Sequence, residues 1–167
     1  MICLLSLYNF RKYTKMKHLQ YLLTTIILLV IFYVWCCLRP KSEYTLLQTT
    51  IENFTPSLLN EKLPILIESP IVNVSDLLTT VFKYCYIYTK KVIKTENKNK
   101  YGYLLITSKT NDISHISIKH PKYLEILNIT LHKNQVLVLP PLWWYKCNTE
   151  ESIDMYGLKT LTTIFLF

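Results

Sequence analysis

Apolar and polar positions along this chain follow two different patterns. Residues 19 to 38, "LQYLLTTIILLVIFYVWCCL", carry no charged side chain, and about 20 residues at helical rise cross the hydrocarbon core of a bilayer. A soluble helix of that length would show a polar stripe, and none is present. A cleaved leader has an apolar stretch of about 7–15 residues before a small-residue cleavage site. Here the stretch is longer and exits through Trp35-Cys36-Cys37-Leu38-Arg39-Pro40. The pattern predicts an uncleaved transmembrane helix over 19–38. Tyr21 lies at one headgroup level, and Tyr33 and Trp35 at the other. Arg39-Pro40 ends the helix, because proline cannot continue it.

After the span the pattern shortens. Residues 39–60 read as a juxtamembrane linker, with a short amphipathic helix and a polar turn in "EYTLLQTTIENFTPSLLN". "LPILIES" (63–69) is strand-like and ends at Pro70, and Ser75-Asp76 reads as a cap before the short helix "LLTTVF". From there the period is two. "YCYIYTKKVI" (84–93) has strand propensity, "TENKNK" reads as a polar hairpin loop, and Gly102 adjoins the returning "YLLIT". "HISIKH", "LEILNITLH" and "QVLVL" alternate, and "TLHKNQVLVLPP" reads as a hairpin with Lys133-Asn134 at its tip. Short alternating strands between Asn, Lys and Pro turns predict an antiparallel sandwich or small barrel over 61–167.

Charge sharpens the topology. Of the net +8, half comes from Arg11, Lys12, Lys15 and Lys17, which precede every acidic residue. The positive-inside tendency then leaves residues 1–18 as a basic cytosolic N-terminus and sends the β domain to the lumenal, extracellular or virion-facing side. A start at Met16 would remove three of those four charges. The rest of the chain is near balance, and its only arginine after the first is Arg39. It has no cluster of Arg and Lys around aromatic platforms, so nucleic acid is not an expected partner. The lysines at 90–100 read as a solvated loop, and Lys90, Lys91 and Lys94 are candidates for docking an acidic partner or a membrane surface. The absence of alanine and the presence of only two glycines match an AT-rich coding sequence, as in a large DNA virus or an AT-rich protist.

Three Asn-x-Ser/Thr sequons begin at Asn53, Asn73 and Asn128, and a lumenal location would open them to glycosylation. Cys36 and Cys37 at the membrane exit are candidates for acylation. Cys85 and Cys147 are either a candidate disulfide or two buried thiols, a choice that spacing alone leaves open. The chain has no Gly-rich phosphate loop, Cys-x-x-Cys, His-Glu-x-x-His or Gly-x-Ser-x-Gly.

The stretch "ITLHKNQVLVLPPLWWYKC" (129–147) resembles the closing strands of the cupin-like, Jumonji-type double-stranded β-helix. In that resemblance Val136 to Leu139 are the apolar strand, Pro140-Pro141 the bend, and Trp143-Trp144 the aromatic pair. "LPILIES" resembles the opening strand of that family. Active members hold Fe(II) with two histidines and a carboxylate, leaving open positions for 2-oxoglutarate and oxygen. The resemblance puts the distal histidine where this chain has Tyr145. It puts the proximal His-x-acid pair nearest His115-Ile116-Ser117, where serine replaces the acid. The implication is a degenerate shell with no metal and no cofactor. The alternative is a membrane-bound oxygenase using Fe(II) and 2-oxoglutarate with atypical ligands drawn from His115, His120, His132 and Asp112. On either view one tryptophan of the pair packs in the core and the other faces a partner, since neighbours on a strand point to opposite faces. Trp143, Trp144 and Tyr145 are therefore candidate binding residues of a membrane-anchored, non-catalytic binding or scaffolding protein. Its expected partners are the lipid bilayer and another protein or membrane surface.

Overall fold

The structure, a computed structural model, describes residues 2–39, 44–68, 74–82, 86–91, 96–109, 113–148, 153–160 and 163. It divides into two units, Met1–Arg39 and Pro40–Phe167. The first is a single helix, α1 (Ile2–Leu38). Its segment Lys17–Cys36 is long and apolar enough to cross a membrane. Its two threonine hydroxyls are satisfied by the helix itself: Thr24 Oγ1 donates to the Gln20 carbonyl at 2.8 Å and Thr25 Oγ1 to the Tyr21 carbonyl at 2.9 Å. Such back-bonding is how a hydroxyl is accommodated in lipid. At the exit the Arg39 guanidinium lies 5.1 Å from the Trp35 ring centre, an amphipathic pairing suited to a headgroup region.

The second unit is mainly β. Its first strand is β1 (Leu47–Thr50), followed by a 3-10 turn at Pro56–Glu61. In place of the expected amphipathic helix the segment therefore holds a short strand, a turn and a 3-10 turn. Leu47 and Thr49 turn one way and the rest the other, a period of two within a stretch too short for periodicity to separate helix from strand. β2 (Ile65–Glu68) pairs in parallel with β1, and α2 (Val74–Thr80) follows. Ser75 and Asp76 fall inside the first turn of α2 rather than at its cap, where Asp76 still complements the helix dipole.

Eight strands complete the unit: β3 (Tyr86–Lys91), β4 (Glu96–Lys98), β5 (Tyr103–Ser108), β6 (Ser114–Lys119), β7 (Ile126–Leu131), β8 (Gln135–Leu139), β9 (Trp144–Cys147) and β10 (Ile153–Lys159). They form a six-stranded sheet, β1-β2-β8-β5-β10-β3, and a four-stranded sheet, β4-β9-β6-β7. β6 pairs antiparallel with β7, β5 with β8, β4 with β9 and β3 with β10. The chain from β3 to β10 is thus one long antiparallel ribbon folded at the β6–β7 hairpin, with its successive rungs falling alternately in the two sheets. Two local expectations change as a result. Part of "TENKNK" is strand β4, and the turn after β7 is a corner between sheets rather than a hairpin tip. That corner is tight: Asn134 has φ 66° and the Gln135 amide donates to the His132 carbonyl at 3.2 Å.

Both faces of the six-stranded sheet are covered. Leu66, Leu104, Ile106, Leu137 and Leu139 point between the sheets, against Ile116, Ile118, Ile129 and Leu131 of the opposite layer. Ile65, Ile67, Leu105, Val136 and Val138 point the other way, under Phe54, Leu59, Leu77 and Phe82. The two glycines stand where a side chain would collide. A Cβ on Gly157 would lie 2.6 Å from the Tyr101 ring, and one on Gly102 2.5 Å from Thr160 Cγ2.

Candidate functional site

The Pro140-Pro141-Leu142 bend aims the Trp143-Trp144-Tyr145 run. Leu142 adopts φ 72°, a left-handed conformation that costs a branched residue about 1 kcal/mol or more. Asn99 holds it there. The Leu142 amide donates to the Asn99 carbonyl at 2.9 Å, and the Asn99 amide donates to the Trp143 carbonyl at 2.7 Å. Asn99 Nδ2 donates to the Leu139 and Pro140 carbonyls at 3.0 and 2.8 Å, while Oδ1 accepts from the Tyr101 amide at 2.9 Å. This buried asparagine is the residue that sequence reasoning missed, because "TENKNK" looks like solvated loop. Its only sequence signal is a place two residues before a tyrosine and a glycine.

With the bend clamped, β9 alternates: Trp144 and Lys146 face out, Tyr145 and Cys147 face in. Trp143 is buried in an aromatic cluster, stacked on Tyr44 at 6.1 Å and edge-on to His120 at 4.9 Å. His120 is buried as well and accepts the Lys122 amide through Nδ1 at 3.0 Å. Tyr123 packs on His120 at 4.7 Å, and the Tyr44 hydroxyl donates to the Glu125 carbonyl at 2.9 Å. Burial, with the Glu125 charge second, raises the Tyr44 phenol above its usual range.

Inside the sheets the surroundings of Tyr145 bear directly on metal binding. Register places Asn97 of β4 on one side of it and Ile118 of β6 on the other. Burial pushes the Tyr145 phenol up to about 12, with Cys147 and Tyr101 adding to the shift. It is a neutral hydroxyl between an amide and a hydrocarbon, which is not a donor set for Fe(II). The three histidines named as atypical ligands do not converge. His115 is exposed on the outer face of β6, His120 is buried in the aromatic cluster, His132 is exposed at the corner after β7, and Asp112 lies outside the described residues. Among the described residues no group of three or more His, Cys, Asp or Glu could hold a metal ion. Cys147 is a free, buried thiol pushed up to about 12 by burial, and Cys85 lies outside the described residues.

The outer face of the four-stranded sheet gathers the accessible chemistry. One cross-strand row reads Lys98–Trp144–Lys119–Ile126 over β4, β9, β6 and β7. The next reads Glu96–Lys146–Ser117–Asn128, with the Ser117 hydroxyl 2.7 Å from Asn128 Oδ1. Trp144 is 45% exposed and Ile126 62%. A shallow depression of about 370 Å³ lies among Trp144, Ile126, Lys119, Lys146 and Ser117. Lys90 and Lys91 sit instead on β3, at the edge of the other sheet, and Lys94 lies outside the described residues. The strand carrying Lys90 and Lys91 thus lies apart from the strand of Trp144, whose row neighbours are Lys98 and Lys119. No family model, no curated protein and no solved structure matches this chain.

Proposed function

We propose that this chain is a single-pass, membrane-anchored binding or scaffolding protein whose β unit is a degenerate double-stranded β-helix of the cupin-like kind. The ribbon supports the fold reading. Its eight strands pair as a folded antiparallel ribbon, β8-β5-β10-β3 in one sheet and β4-β9-β6-β7 in the other, an arrangement compatible with that reading. The observation that carries the non-catalytic reading is the set around Tyr145. Where the family resemblance puts the distal histidine, this chain has a neutral phenol flanked by Asn97 and Ile118, and where it puts the His-x-acid pair, His115 and Ser117 stand on the outer face of β6. These residues do not fit iron. What remains accessible is the Trp144 face, an aromatic and apolar strip bordered by ammonium groups, which is the chemistry of recognition rather than of bond breaking.

The anchor reading places the N-terminus in the cytosol and the β unit across the membrane. Asn53 and Asn128 are exposed, so an endoglycosidase-sensitive mass at either one reports that side. The deciding experiment is iron analysis of the full chain after anaerobic exposure to Fe(II) and 2-oxoglutarate. Background iron is the expected result. Stoichiometric iron that depends on 2-oxoglutarate would overturn the reading in favour of an oxygenase with atypical ligands.

A further inference from the structure

Three large apolar side chains stand in water on one side of the β unit: Leu124 at 86%, Ile126 at 62% and Trp144 at 45% exposure. Single exposed apolar residues are ordinary, but these are neighbours. Ile126 and Trp144 flank Lys119 in one cross-strand row, and Leu124 is two residues before Ile126. Lys98 and Lys119 share that cross-strand row, Lys146 lies in the next, and Lys122 and Glu125 are exposed on either side of Leu124 in sequence. Aromatic and aliphatic tips set among lysines are the composition of a surface that rests at a headgroup layer, with the apolar tips just below it and the ammonium groups at the phosphates.

Chain length selects the occupant. The loop that carries Leu124 is bolted to Tyr44 through the Tyr44 hydroxyl and the Glu125 carbonyl, and through the Tyr44, His120 and Tyr123 rings. Only residues 40–43 separate Arg39 from Tyr44, and an extended chain advances at most about 3.3–3.6 Å per residue. Five residue steps therefore keep the Tyr44 backbone within about 18 Å of Arg39. We infer that Leu124, Ile126 and Trp144, with their surrounding lysines, form a docking surface for the anionic headgroup layer of the bilayer in which α1 is anchored. The inference rests on the membrane-anchor reading above. Docking would hold the β unit against the bilayer surface.

The test is backbone amide exchange of the full chain in nanodiscs of phosphatidylcholine alone or with added phosphatidylserine. Exchange over 119–126 and 144–146 is expected to slow about tenfold in the anionic discs, with β8 (136–139) unchanged as the control for folding. Replacing both Leu124→Glu and Ile126→Glu, at positions already exposed, is expected to abolish the slowing and leave the β8 exchange as it was. Equal exchange in the two lipids, slowing that survives the double substitution, or protection that appears only with an added acidic protein would overturn the inference. Failure of the chain to partition with the discs would overturn the anchor reading instead.

Discussion

The two sheets are built from the same kinds of residue and stand in opposite relations to solvent. In the six-stranded sheet, β8 buries Val136, Leu137, Val138 and Leu139 in succession, two into each core. In the four-stranded sheet, β6 and β9 alternate, so that Ile116, Ile118, Tyr145 and Cys147 are covered while His115, Trp144 and Lys146 are not. A sheet packed on both faces gives near-continuous apolar runs, and a half-covered sheet gives clean alternation. Among the described residues, both faces of the doubly covered layer carry core side chains. The accessible side chains stand on the side of the other layer that its alternation leaves open.

Trp143 and Trp144, adjacent in sequence, put that contrast at its sharpest. Trp143→Ala removes the ring stacked on Tyr44 and is expected to lower stability by about 3–5 kcal/mol, as large aromatic truncations in cores do. Urea denaturation followed by circular dichroism measures it. A loss near zero would mean that the inner side is not the core. Asn99→Ala should come next, at about 3 kcal/mol, because the Leu139, Pro140 and Tyr101 backbone groups lose their partner inside the protein. The same variant should release the Leu142 bend, seen as altered near-ultraviolet tryptophan signal alongside the shift in midpoint.

The inner side also predicts a pH dependence. Folded, the Cys147 thiol and Tyr145 phenol hold their protons to about 12, against ordinary values of 9.0 and 10.0. A raised acidic group stabilises the fold below its unfolded value and loses that contribution as pH climbs through the folded one. Stability should therefore be level near neutrality and decline as pH rises from about 9 toward about 12. Denaturation midpoints across that range check it, and Cys147→Ala should flatten the first part of the decline. The smallest effect belongs to the outer side. Trp144→Ala should change stability by less than about 0.5 kcal/mol, and a value near that of Trp143→Ala would erase the distinction between the two faces.

Much of this was legible beforehand. An uncharged run of membrane length needs no tertiary partner to be recognised, and strands from "YLLIT" onward announce themselves by alternation. "EYTLLQTTIENF" was the exception: β1 is four residues long, too short for its period to show, and it is extended because β2 lies beside it. The turn after β7 is local in both readings, but which sheet receives β8 is decided by Ile65–Glu68 some seventy residues earlier. The candidate site divides the same way. That neighbouring tryptophans face apart follows from strand geometry.

Which tryptophan is buried, which lysines surround the other, and why Leu142 tolerates a left-handed backbone depend on Asn99, Tyr44, Lys98 and Lys119, drawn together from distant points on the chain. Sequence by itself determined the apolar span and the β character, because these depend on composition and on contacts a few residues apart. Tertiary structure alone decided the sheet order, the Asn99 clamp and the open Trp144 face. Each of these rests on pairing between strands far apart along the chain, which local pattern does not encode.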